Sequence, residues 1–278
     1  MVIVAIIGAA FTKLLASQSR FFDQQTNIRK ARSVARNSMT VLLSDLRMVQ
    51  DSGGIDSAAS DGSAIRVIVP YRFGLVCATN GTVTTVSLLP SDSSVVAAAK
   101  YAGFAWRDTL RGRYTIVTPA DPRGSNAPIA SASPGSCTGT GGGQANIRTY
   151  SVNGRTGDIL DLNGPAGSAQ QASPVFLWQH ISYAFKASNA YPGFLGLWRN
   201  VEGADPEEIL APFDTSARFR FYVSGGDTSV VSLPALSSIV GIDLVLNATS
   251  SRVVSNNVNS HSVSKVRTSV FFKNVRSY

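Results

Sequence analysis

Cysteine and histidine are nearly missing from this chain. Only Cys77, Cys137, His180 and His261 occur among 278 residues. A zinc site takes about four Cys/His ligands at tight spacing, and neither histidine lies near a cysteine in sequence, so no metal is called for. Catalytic signatures are missing too: there is no G-x-S-x-G, H-E-x-x-H or D-x-D-x-D-G pattern. The glycine run at Gly139–Gly143 is not followed by Gly-Lys-Ser/Thr, which removes a phosphate-binding loop. His180 sits mid-strand among aromatics as a packed or surface side chain, and His261 lies in a Ser/Asn-rich loop where it is expected to be solvated. Asp205, Glu207 and Glu208 read as surface charge at a helix start. These absences point away from an enzyme, a cofactor and a small-molecule substrate.

Charge is scarce as well. Only 15% of residues are charged, yet 25 Lys+Arg against 17 Asp+Glu leave a net +8. No Lys/Arg run exceeds a pair, and no aromatic-interleaved basic motif occurs. The balance permits contact with anionic lipid, nucleic acid or an acidic partner without singling one out. The abundance of Gly, Ser, Thr and Asn after residue 50 suits an extracytoplasmic, turn-rich β domain.

Glycine and proline are absent between Gly8 and Gly53, and this is the informative gap. Met1–Phe11 is wholly apolar. A membrane-spanning helix needs about 20 apolar residues, and a secretory signal would open with positive charge and close at a small-residue cleavage site; the segment does neither and continues as helix. Ile28, Ala31, Ala35, Met39, Leu42, Leu46 and Val49 step by three or four along one face, while Arg29, Arg32 and Arg36 line another. The expected helix therefore runs to a stop at Gly53–Gly54. Its start (1–27, with Val2, Ile3, Val4, Ile6, Ile7, Phe11, Leu14 and Leu15) suits lipid or a helical bundle. Its second half (28–52, with Ile28, Ala35, Met39, Leu42 and Leu46) suits packing on a domain at 53–278.

The stretch IVAIIGAAFTKLLASQSRFF, followed by RKARSVARNSMTVLLSDLRMV, resembles the N-terminal helix of type IV pilin-like proteins. It is most similar to minor pilins of the PilW kind and the J-type minor pseudopilin of type II secretion. Ser19-Arg20-Phe21 matches the polar patch of that helix, and Leu42–Arg47 its closing L-x-x-D-L-R phrase. Ile239–Asn247 and Lys265–Asn274 resemble the closing strands; the middle, about 60–230, is not distinctive. The resemblance implies an α+β fold, a structural role, and the other pilin or pseudopilin subunits as partners through the helix. It also implies an inner-membrane stage with the domain in the periplasm, or a place in a cell-surface filament. The family's basic leader and Phe-Thr-Leu-x-Glu segment do not occur here. We expect in-frame codons upstream of Met1 to specify them.

Beyond the helix, period-two runs with turn punctuation read as strands. These are Ala64–Val69, Arg72–Cys77 after a Pro70-Tyr71 break, Thr82–Leu89 after an Asn80-Gly81 hairpin signal, and Arg113–Thr118. Further runs are Val175–Lys186, Leu195–Val201, Arg218–Val223 and the last two strands. Val95–Ala105 and Pro206–Leu210 read as short helices, and 119–145 as a flexible loop. Cys77 and Cys137 are either one disulfide, favoured for an exported chain, or two separate buried thiols. A bond closing that loop removes about 4 kcal/mol of unfolded-chain entropy. Two other functions stand beside the structural subunit: a filament-displayed binding or DNA-uptake protein, and an exported, membrane-anchored hydrolase. The domain from about residue 28 is expected to fold alone, with residues 1–20 directing membrane and partner association. Lys13, costly at a bilayer centre by about 2.5–3.5 kcal/mol, belongs at the lipid interface or against a partner's carboxylate.

Overall fold

With no glycine or proline beyond Gly8 to interrupt it, the N-terminal segment folds as one α-helix of 45 residues, α1 (Val2–Leu46). At 1.5 Å per residue it is about 68 Å long. The computed structural model describes residues 2–49, 54–80, 83–93, 102–107, 114–117, 129–134, 151–152, 155–163, 169–253 and 261–272.

α1 stops at Leu46, short of the Gly53–Gly54 stop that the sequence suggests. Its end tightens instead: the Met48 N–H donates to the Asp45 carbonyl (3.0 Å) and the Val49 N–H to that of Leu46 (3.3 Å). This i→i+3 closure satisfies orphan carbonyls. It also turns Val49 into the core, where it is fully buried, a gain that one more turn of solvated helix does not match.

The first strands along the chain are β1 (Ile55–Ala58), β2 (Ala64–Asn80), β3 (Val83–Leu88), β4 (Gly103–Arg107), β5 (Tyr114–Val117), β6 (Ile129–Pro134), β7 (Ser151–Val152), β8 (Arg155–Thr156) and β9 (Asp158–Asn163). After them come β10 (Pro174–Ala187), β11 (Leu195–Val201), β12 (Glu207–Phe213), β13 (Arg218–Val223), β14 (Ile239–Val253) and β15 (His261–Phe271). Thirteen of them make one antiparallel sheet, in the order β13-β14-β12-β11-β10-β2-β3-β9-β6, with β15 on β14, β1 on β2, β4 on β10 and β5 on β4. The class is α+β: a long N-terminal helix on a large antiparallel sheet.

Several local expectations yield to strand pairing. Pro70-Tyr71 does not break β2. Leu177 faces Arg72 and Trp178 faces Pro70, so Tyr71 is the extra residue of a bulge, which lets a proline without an N–H remain in the strand. Pro206–Leu210 is not a helical turn, because Glu207 and Glu208 pair with Arg199 and Trp198 in β11. The end of the expected helix at Val95–Ala105 is instead strand, with Phe104 buried opposite Leu177; residues 95–101 lie outside the described residues. Within 119–145, Ile129–Pro134 is a strand on β9, and the remainder lies outside the described residues. β2 and β3 pair with Asn80 opposite Val83; Gly81 and Thr82 between them are likewise outside.

β2 and β10 are shared by two cores. The larger lies between α1 and the sheet, where Ala35, Leu42 and Leu46 meet Ile181, Tyr183, Phe185, Leu244 and Leu246. The second joins Val76, Val86, Leu88, Phe104, Leu160, Leu162 and Leu177. α1 packs on β12, β14 and β15 through a stripe of Asn27, Ala31, Ala35, Ser38, Leu42 and Leu46, all buried. Steps of three and four keep these residues on one face. The small residues in the middle of the stripe let the helix axis approach the sheet closely.

Candidate functional site

The two halves of α1 live in different surroundings. Every described side chain from Ile3 to Gln24 is exposed, so this half stands clear of the domain. Large apolar groups are among them: Ile3 is 72% exposed, Ile7 63%, Phe11 59%, Leu14 54% and Leu15 50%, with Phe21 and Phe22 also above half. The side chains of Val2, Val4 and Ile6 lie outside the described residues. In the second half, Ala35, Leu42 and Leu46 are fully buried, while Ile28 and Met39 are half-buried. Among the described residues no helix is long and apolar enough to cross a membrane.

A cluster of side chains ties the end of α1 to the sheet. The Tyr183 hydroxyl donates to Asp45 Oδ2. Arg199 Nη2 reaches the same oxygen at 3.3 Å, and Arg199 Nε donates to the Tyr183 hydroxyl at 3.2 Å. Burial and then the neighbouring Asp45 charge push the Tyr183 phenol well above its ordinary range, so it stays a donor. Asp45 belongs to the L-x-x-D-L-R phrase. Its partners lie more than a hundred residues away in sequence, where no spacing rule reaches them.

On the opposite face of the sheet, Arg66, His180 and Glu202 come together around a shallow depression of about 170 Å³ that Ser182 and Asn200 also line. Alternation along β10 puts His180 and Ser182 away from the helix that Tyr183 faces. Arg66 Nη2 lies 2.9 Å from His180 Nδ1 and 3.1 Å from Glu202 Oε2, and its Nε is 3.2 Å from Asp56. His180 Nδ1 also contacts Glu202. The group is a half-exposed ion-pair network, and Glu202 and Arg66 had no sequence signal. His261 is not a solvated loop residue. It opens β15 half-buried, edge-on to Phe194, with Nδ1 2.8 Å from the Ser250 carbonyl.

The remaining polar clusters brace the frame. Asp243 is fully buried on β14, yet its carboxyl is held below the usual range. Desolvation pushes it up, and hydrogen bonds from Arg267 and Ser229, with the Arg267 and Arg220 charges, outweigh that. Arg267 Nη2 stands 2.6 Å and Nε 2.9 Å from Asp243 Oδ2, and Ser229 Oγ 2.6 Å. Glu208 binds the Ser188 hydroxyl and the Asn189 N–H (2.8 Å), capping the turn between β10 and β11. Among the described residues no group of three or more His, Cys, Asp or Glu is placed to hold a metal. Cys77 is buried on β2; Cys137, its expected partner, lies outside the described residues. No known protein family, curated protein or solved structure matches this chain.

Proposed function

We propose that this chain is a structural subunit of the type IV pilin-like kind, a minor pilin or minor pseudopilin that takes part in assembling a pilus or a secretion pseudopilus. One observation carries the reading. A single helix is packed on an antiparallel domain along its second half, and along its first half presents seven large, half-exposed or more exposed apolar side chains. Covering them is worth of the order of 10 kcal/mol, which a free surface forgoes. The bilayer before assembly and a bundle of neighbouring helices afterwards both supply that cover. Transfer between the two exchanges one apolar environment for another. The domain then belongs in the periplasm or on a cell-surface filament. The tie of Tyr183, Asp45 and Arg199 at the end of α1 supports the same reading, since a subunit that docks by its helix needs that helix held firmly on the domain.

The test is a full chain carrying Ile7→Ser, Phe11→Ser and Leu14→Ser, expressed in a host with the cognate assembly machinery. These positions touch nothing in the domain, so folding should persist while filament assembly or secretion drops. Assembly equal to that of the unaltered chain rules the structural-subunit reading out in favour of a free periplasmic role.

A further inference from the structure

Much of the apolar stripe of α1 shares one face with three of its six basic residues, Arg29, Arg32 and Arg36. At 3.6 residues per turn, Ile3, Ile7, Phe11, Leu14 and Phe22 stack along a line that Arg29, Arg32 and Arg36 continue. The buried stripe that includes Ala31, Ala35, Ser38 and Leu42 lies roughly a third of a turn away. One outward face, which also carries the uncharged Gln18 and Gln25, therefore changes from mainly apolar to cationic between Phe22 and Arg29. Arg29, Arg32 and Arg36 are exposed, and among the described residues none of the three forms an ion pair. The acidic residues of α1 are Asp23 and Asp45, and Asp45 is taken by Tyr183 and Arg199.

We propose that this face docks on anionic phospholipid, with the Ile3–Phe22 segment against acyl chains and Arg29, Arg32 and Arg36 on the headgroups. The proposal rests on the reading that the first half of α1 enters an apolar phase, and it names the surface met there. Charge and geometry both argue for it. The apolar side chains and the three arginines share one outward face, so a helix lying along the bilayer surface brings both to it together. A second copy of the chain is a poor complement, because the chain itself carries net +8. A nucleic acid complements the arginines but offers nothing to the apolar stretch of the same face.

The experiment is sedimentation of the full chain with vesicles of phosphatidylcholine alone and of phosphatidylcholine mixed with phosphatidylglycerol. Each basic residue near an anionic surface strengthens binding roughly fivefold, so the mixed vesicles should bind about a hundredfold more tightly, and added salt should erase the gain. The variant R29Q/R32Q/R36Q should lose most of that gain and keep its binding to neutral vesicles. The variant K30Q/K186Q/K265Q, which removes the same charge from other faces, should keep the gain. Equal binding to both vesicles, or equal losses in the two variants, overturns the proposal and leaves the apolar reading intact. Binding to neither vesicle overturns both. Stripe-dependent binding to a DNA duplex without a vesicle gain assigns the arginines to nucleic acid and overturns the lipid proposal.

Discussion

The Tyr183 hydroxyl donates a hydrogen bond to the Asp45 carboxylate, tying the last turn of α1 to the middle of β10. Arg199 bridges both groups from the next strand. Tyr183→Phe removes one donor while Asp45 keeps Arg199, so it should cost about 1–2 kcal/mol. Asp45→Ala leaves a buried phenol and a half-buried guanidinium short of a partner and should cost more, about 3 kcal/mol. Urea unfolding of both single variants and the double variant should give a coupling of about 1 kcal/mol. Additivity within error would show that the contact contributes nothing of its own.

The same phenol makes stability fall at alkaline pH. Its folded pKa is raised, so its contribution is complete below the unfolded value near 10 and declines as pH rises beyond it, by at most about 1.4 kcal/mol per unit. Unfolding midpoints at pH 8 and at about pH 11 should differ by less in Tyr183→Phe than in the parent. An unchanged difference would locate the alkaline loss elsewhere.

Asp243 sets the opposite limb. Its folded pKa is lowered, so its contribution is present above the unfolded value near 3.9 and is lost as pH falls below it. Arg267→Gln leaves the buried carboxylate with Ser229 as its main donor and should destabilise the fold. It should also move the acid-unfolding midpoint to higher pH. Circular dichroism against pH checks both; an unshifted midpoint would mean that Arg267 does not hold the charge.

The halves of α1 should respond oppositely to truncation. Leu42 is fully buried, so Leu42→Ala should cost about 2–5 kcal/mol. Leu14 is 54% exposed, so Leu14→Ala should change stability by less than about 0.5 kcal/mol. Thermal unfolding measures both, and comparable losses would place Leu14 in a packed environment.

Cys77 and Cys137 should be joined. Peptide mapping without reductant should recover them in one linked fragment, and reduction should lower stability by about 2–5 kcal/mol. Two separately alkylated cysteines from an oxidising compartment would decide for separate thiols.

Where local pattern and tertiary demand agree, the sequence is easily read. Arg218–Val223 alternates, and Phe219 and Phe221 are buried as that alternation requires. Where they conflict, pairing wins. Glu207-Glu208 after a proline carries a helix-start signal, yet β11 offers backbone partners and Glu208 finds three donors at the 188–190 turn. Val49 likewise leaves the helix because a core position is within reach.

By itself the sequence determined the long helix, its change from an apolar start to a half-buried end, and the β character of the domain behind it. These are short-range properties, set by backbone freedom and by the period of apolar side chains. Only the tertiary structure decided where α1 ends, which strands sit beside one another, and which charges meet. Tyr183, Asp45 and Arg199, like Asp243 and Arg267, are distant in the chain and signal nothing individually. Their contacts arise because the sheet order brings them together, and burial then makes an unpaired charge too costly to leave alone.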